Sequence, residues 1–287
     1  MKPLPVFGRR TYIMGILNVT PDSFSGDGLL ARHDPIRAAL EQARHFVAAG
    51  ADILDVGGES TRPGAATISA QEEIERTVPV IEALAKEVDI LISIDTCKAS
   101  VAQAALAAGA DWINDVWALQ ADPLMGAVAA QGGTPIILMH NRSKPGNTEI
   151  QARLGGRYIG VQYADLLAEV RAELLEAVER AHTAGIGDEQ IILDPGIGFG
   201  KTVEQNLELL DRLDELKSLG YPLLVGPSRK SFIGYTLDAP PGERLEGTAA
   251  AVAVAITRGA DIVRIHDVAA LARLVKMTDA ITRRPPK

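Results

Sequence analysis

The chain has 287 residues, 47% of them hydrophobic, and a formal net charge of −8 from 29 basic and 37 acidic side chains. That is enough apolar material for a full core. The acidic balance speaks against a nucleic-acid partner, which calls for a basic face, but leaves room for small anions held by a few local cations. One cysteine, Cys97, excludes an internal disulfide framework, and aromatic residues at 4% weaken a carbohydrate-cleft reading. Residues 1–10 hold no apolar signal-peptide core, and no apolar run approaches the ~18 residues of a membrane span. The expectation is a cytoplasmic protein without a membrane partner.

In chain order, strand-like apolar runs fall at 12–17, 52–56, 90–94, 112–113, 135–139, 190–193, 221–225 and 262–265. Helical patterns lie between them, among others at 36–49, 71–86, 98–108, 163–184 and 203–219. Short strands that are apolar on both faces are typical of a buried parallel sheet. Eight of them alternating with helices predict one α/β domain over residues 1–287, a single (β/α)₈ TIM barrel spanning about 12–280. Closure of the barrel removes both sheet edges.

An internal echo supports this arrangement. Gly50-Ala51-Asp52, Gly109-Ala110-Asp111 and Gly259-Ala260-Asp261 each end a helix and open a strand, with Gly suited to the left-handed position after a helix. Five residues after each Gly stands a polar residue, Asp55, Asn114 or Arg264. That offset is the C-terminal end of a barrel strand, where catalytic groups sit. The βα loops at 18–35, 57–70 and 140–157 are long and lie on the same face. Long loops in a compact domain are usually functional or mobile.

The segment from Asp194 to Thr202 looks like a nucleotide loop, but Pro195 stands where a P-loop needs Gly, and Lys201 where a dinucleotide loop needs it. It reads instead as a Gly-rich βα loop that lets backbone approach a ligand, with Phe199 either touching a ring or buried in a turn. Arg264 and His266, two apart, share one side of their strand and form a candidate anion site. Asp95 and Asp194 each follow a buried strand, and either accept hydrogen bonds from a ligand's N–H edge or serve as a salt bridge or cap. Ser228-Arg229-Lys230-Ser231 opens a helix, whose N-terminus favours anions; Ser231 is a cap, a carboxylate ligand, or both. His140 is a weaker candidate. No tight zinc signature occurs, which leaves a loosely held Mg²⁺ that rides on a phosphate.

Taken together, eight segments resemble the dihydropteroate synthase family. They are Gly15-Ile16-Leu17-Asn18-Val19-Thr20-Pro21-Asp22-Ser23-Phe24-Ser25, Asp55-Val56-Gly57-Gly58-Glu59-Ser60-Thr61-Arg62-Pro63-Gly64, Ser93-Ile94-Asp95-Thr96, Ile113-Asn114-Asp115-Val116, Leu138-Met139-His140, Asp194-Pro195-Gly196-Ile197-Gly198-Phe199-Gly200-Lys201, Gly226-Pro227-Ser228-Arg229-Lys230-Ser231-Phe232 and Arg264-Ile265-His266-Asp267-Val268.

The resemblance implies a transferase that joins 4-aminobenzoate to 6-hydroxymethyl-7,8-dihydropterin diphosphate. It would form dihydropteroate through an SN1-like, Mg²⁺-assisted loss of diphosphate, and would act as a homodimer. It implies that Asp95, Asn114, Asp194 and Lys230 bind the pterin, with Met139 packed on its ring. Asn18, Arg264 and His266 would hold the diphosphate, with Asn18 also a Mg²⁺ ligand and Thr61 assisting. Ser231 would take the benzoate carboxylate, with Phe199 and Pro63 along the ring. Asp22, Phe24, Ser25 and Arg62 would fold over the site on loops 1 and 2. The family usually reads Ser-Asp-Gly-Gly after Phe24, whereas this chain reads Ser25-Gly26-Asp27-Gly28, which moves the loop acid to Asp27. Asn141-Arg142-Ser143 also departs from the family pattern.

Overall fold

The three glycines of the repeat all take left-handed backbone, with φ of +101° at Gly50, +111° at Gly109 and +101° at Gly259. At each one a finished helix turns sharply into the next strand, because only a residue without Cβ enters that region at no steric cost. The computed structural model describes residues 2, 4–20, 28–31, 34–60 and 65–283. Its strands and helices follow one another as β1 (Tyr12–Asn18), α1 (Pro35–Ala49), β2 (Ile53–Gly57), α2 (Ala70–Glu87), β3 (Leu91–Asp95), α3 (Ala99–Ala107), β4 (Trp112–Asp115), α4 (Met125–Gly132), β5 (Ile136–Met139), β6 (Thr148–Gln151), β7 (Gly155–Tyr158), α5 (Leu166–Thr183), β8 (Ile191–Asp194), α6 (Val203–Asp211), α7 (Asp214–Lys217), β9 (Leu224–Val225), α8 (Ser231–Leu237), α9 (Leu245–Thr257), β10 (Ile262–Ile265) and α10 (Val268–Thr282).

Eight parallel strands pair in the order β8-β5-β4-β3-β2-β1-β10-β9. A parallel bridge between Leu193 and Leu223 joins the two ends of that order and closes the barrel. All eight strand-like runs of the sequence are found, shifted at most a few residues at their ends.

The barrel interior explains where polar residues can stand. Tyr12, Met14, Ile53, Leu91, Trp112, Ile137, Ile192, Leu224 and Ile262 form one apolar cluster inside the sheet, with Leu4 and Phe7 packed against it. Side chains alternate faces along a strand, so the next inward position lies two residues further on. Those positions are Ile16, Asp55, Ser93, Asn114, Met139, Asp194, Gly226 and Arg264. Five of these eight positions, Asp55, Ser93, Asn114, Asp194 and Arg264, are polar, so the interior turns mainly polar toward the C-terminal ends of the strands. The larger core lies between the outer strand faces and the helices, from Leu17, Leu54 and Ile94 to Leu84, Leu174 and Val252.

Three expectations are altered. The long stretch after β5 is not an open loop: β6 and β7 form an antiparallel hairpin. Arg244 Nη2 donates to the Leu154 carbonyl at 2.8 Å and Tyr235 Oη to the Gly155 carbonyl at 3.0 Å, which fastens the hairpin over α8. The expected helix at 203–219 breaks into α6 and α7 around Arg212 and the buried Leu213. The helix expected at 163–184 starts later, because the Asp165 carboxylate accepts from the Ala168 N–H at 3.1 Å and caps it. Among the described residues, no helix is long and apolar enough to cross a membrane.

Candidate active site

Asp55 is the hub of the barrel mouth. It is fully buried on β2, and its Oδ2 accepts from Arg264 Nε at 2.5 Å and from Asn114 Nδ2 at 3.0 Å. Two polar residues of the sequence repeat, Asn114 and Arg264, are thus both bonded to the third, Asp55. Arg264 also donates through Nη2 to Asp95 Oδ2 at 2.6 Å. Strand register supplies this arrangement, since Asn18 pairs with Gly57, Gly57 with Asp95, and Asp95 with Asn114.

Burial in this mouth disfavours charge. Asp95 is pushed up to about 7 by desolvation, which the Arg264 guanidinium opposes and the neighbouring Asp55 reinforces. Burial likewise raises Asp194, against the pull of Lys230. Lys230 is lowered to about 8 by burial, with Asp194 holding it up. The site is a mixed-charge floor in which three carboxylates face two cations.

Met139 ends β5 beside Asp194, with which it is in register. Asp194 Oδ1 accepts from the Gly196 N–H at 2.7 Å, which starts the Gly-rich loop. Phe199 on that loop lies 4.5 Å, ring centre to Nζ, from Lys230, and Lys230 donates to the Ile197 carbonyl.

Lys230 reaches the mouth because Arg229 before it is held in left-handed backbone, φ +57°, a conformation that costs about 1–2 kcal/mol for a residue with a Cβ. Three contacts hold it there. The Arg229 N–H donates to Thr248 Oγ1 at 3.1 Å, its carbonyl accepts from Arg244 Nη1 at 2.9 Å, and its guanidinium pairs with Asp267. Lys230 is itself the N-cap residue of α8, and Ser231 is the first helical residue rather than the cap. His266 is oriented by Ser228, whose Oγ accepts its N–H at 3.1 Å and lies 3.0 Å from its Nδ1.

The structure thus brings together Asp95, Asn114, Met139, Asp194, Phe199, Lys230 and Arg264, with Asn18, Ser231 and His266 at neighbouring strand and helix ends. Thr61, Arg62, Pro63, Asp22, Phe24, Ser25 and Asp27 lie outside the described residues. His140 does not join the mouth. It is buried and bonded to Lys201, with Nδ1 2.8 Å from Nζ, and burial lowers it to about 4. Two partners went unread in the sequence: the clamping role of Asp55 and the burial of Lys201. The repeat had flagged Asp55 by position; no local signal marks Lys201.

A pterin-binding enzyme family model matches residues 14–266. A dihydropteroate synthase from Synechocystis sp. is 53% identical over 98% of this chain and 96% of its own length. One from Bacillus subtilis is 48% identical over 96% and 90%. The chain belongs to the dihydropteroate synthase family. Solved structures agree. The dihydropteroate synthase from Clostridium difficile, determined in the presence of pteroic acid, superposes with a TM-score of 0.87 at 46% identity, covering 98% of this chain and all of that one. The Xanthomonas albilineans dihydropteroate synthase with 4-aminobenzoic acid gives a TM-score of 0.85 at 40% identity, covering 97% and 95%. As a member of the dihydropteroate synthase family, the chain is a transferase with a pterin-binding barrel.

Proposed function

We propose that this enzyme condenses 4-aminobenzoate with 6-hydroxymethyl-7,8-dihydropterin diphosphate to give 7,8-dihydropteroate and diphosphate. The observation that carries the reading is the floor in which Asp95 and Asp194 alternate with Arg264 and Lys230. The carboxylates and Asn114 suit the N–H donors of a pterin edge, and Lys230 suits its carbonyl. Met139 offers an apolar face for the ring. The guanidinium of Arg264, anchored through Nε and Nη2, keeps Nη1 for an anion beside His266 and Asn18.

In this reading the C–O bond to diphosphate breaks before the aryl amine bonds to the same carbon. The electron-rich dihydropterin delocalises the cation in between. The amine attacks unassisted and then releases a proton to solvent or to the departing diphosphate. Arg264 and His266 stabilise charge developing on the leaving group. Ser231 receives the benzoate carboxylate, with Phe199 along its ring. Exclusion of water from the reactants would keep it from trapping the cation.

Mg²⁺ fits the donor chemistry. Among the described residues no group of three or more His, Cys, Asp or Glu gathers as a metal site. The amide oxygen of Asn18 alone suits a cation that keeps its waters and takes other ligands from diphosphate. When bound it would neutralise leaving-group charge. The same reading makes the whole chain one barrel domain, a homodimer, and cytoplasmic, which the lone Cys97 supports.

The test is diphosphate release with both substrates, with and without Mg²⁺. Release that needs both substrates and is lost in chelator is expected. Full release in chelator removes the metal role, and no release with both substrates and Mg²⁺ overturns the reaction.

A further inference from the structure

The Gly-rich loop after β8 is gripped by two lysines. Gly196, Gly198 and Gly200 all take left-handed backbone, with φ of +70°, +80° and +59°. These turns send successive carbonyls in different directions. The Gly196 and Phe199 carbonyls accept from Lys201 Nζ at 3.0 and 3.1 Å, whereas the Ile197 carbonyl accepts from Lys230 Nζ. The close fit leaves little slack: a Cβ on Gly196 would lie 1.9 Å from the His140 carbonyl, and one on Gly198 2.8 Å from Lys230 Cδ.

Lys201 is only 1% exposed. An ammonium has three donors, and its third partner is His140 Nδ1 at 2.8 Å. The other ring nitrogen of His140, Nε2, lies 3.0 Å from Glu173 Oε2, although not aligned for a hydrogen bond. Glu173 in turn pairs with Arg142. A chain of polar contacts therefore runs from Arg142, part-exposed at the start of the β6–β7 extension, to the loop that faces the pocket. Burying a lysine this deeply is costly even with every donor satisfied, as here, and burial lowers Lys201 to about 7, with Asp194 opposing the shift. An apolar side chain would fill the space without that cost, but it could not gather the two carbonyls.

We propose that Lys201 is a positioning residue for Lys230. Its Nζ, bonded to the Gly196 and Phe199 carbonyls, fixes the carbonyl pattern of the loop, so that the Ile197 carbonyl is presented to Lys230 Nζ and the Phe199 ring lies beside it. This rests on the reading of Lys230 as a pterin ligand. Lys201 does not touch substrate, and its effect passes through Lys230.

The test is steady-state kinetics with varied dihydropterin diphosphate on the wild-type enzyme, Lys201→Met, Lys230→Met and the double variant. Lys201→Met is expected to raise the pterin KM about tenfold, with kcat changed less than about threefold, as for loss of charge-assisted hydrogen bonds. In the Lys230→Met background the same change is expected to add less than about threefold, because coupled residues are not additive. A wild-type KM for Lys201→Met, or penalties that multiply in the double variant, overturns the inference while the role of Lys230 stands. An unchanged KM for Lys230→Met overturns that role itself, and the inference with it.

Should Lys201→Met fail to fold, folded protein carrying [ε-¹⁵N]lysine still decides. The slowly exchanging ammonium signal of the buried lysine is expected to shift when Lys230 is changed to Met or when dihydropterin diphosphate is added. No shift in either case overturns the proposal.

Discussion

Asp55 and Arg264 stand 209 positions apart in the chain, yet Arg264 Nε lies 2.5 Å from Asp55 Oδ2 at the centre of the barrel mouth. Asn114 shares the same oxygen at 3.0 Å. The fully buried carboxylate sets the direction of both side chains and leaves Asp95 as the outer partner of the guanidinium. Among the described residues Asp55 Oδ1 is buried without a hydrogen-bond partner, so there the carboxylate is held through Oδ2.

Removing that hub should destabilise the fold. Asp55→Ala leaves Arg264 with one of its two carboxylates and Asn114 without its acceptor. Breaking a buried pair by deleting one member costs about 3–5 kcal/mol. Thermal or urea denaturation checks this, and a loss under about 1 kcal/mol contradicts a hub role.

Arg264→Lys keeps a cation opposite Asp55 and Asp95 but loses the planar fork. The variant should fold, with an unchanged far-ultraviolet spectrum, and lose dihydropteroate formation by about 10²–10³, the scale of deleting one charge-stabilising donor. Activity within about threefold of wild type removes Arg264 from the anion site.

The pH dependence of stability has a definite sign at Asp95. Its folded value, pushed up to about 7, lies above the ordinary carboxylate range. The folded state therefore holds this proton more tightly, and Asp95's contribution is fully present below about pH 4 and lost as pH rises toward 7. Asp115, raised to about 6 by burial, acts in the same direction. Asp95→Asn should flatten the melting-temperature profile between pH 4 and 7, and thermal melts across that range would show it. An equally steep profile in the variant places the titration elsewhere.

Gly198→Ala should damage pterin binding more than stability. Its φ of +80° strains any residue with a Cβ, and the added carbon meets Lys230 Cδ at 2.8 Å. The backbone term is about 1–2 kcal/mol. Displacement of Lys230 should appear as a raised KM for dihydropterin diphosphate with 4-aminobenzoate held saturating. An unchanged KM means that Lys230 moves aside at no cost to binding.

Local sequence determined the barrel and its rim. Short apolar runs between helical patterns, and a Gly after each of three helices, are features of neighbouring residues, and they predicted all eight parallel strands and the C-terminal ends on which Asp55, Asn114 and Arg264 stand. The motif residues Asp95, Asp194 and His266 were legible for the same reason, since each stands at the end of its own strand, and Lys230 was legible from the Ser228-Arg229-Lys230-Ser231 segment that opens a helix.

Only the tertiary structure decided who partners whom. Asp55 carried no ligand reading until barrel closure brought β10 and β4 to its oxygen. Lys201 was only one residue of a Gly-rich loop until folding buried it against His140. The hairpin after β5 escaped notice because its two four-residue strands are stabilised by Arg244, Tyr235 and α8 rather than by their own apolar pattern. Hydrophobic periodicity reports which face of an element is buried, whereas hydrogen bonds between residues far apart in the chain exist only after the strands have closed into a ring.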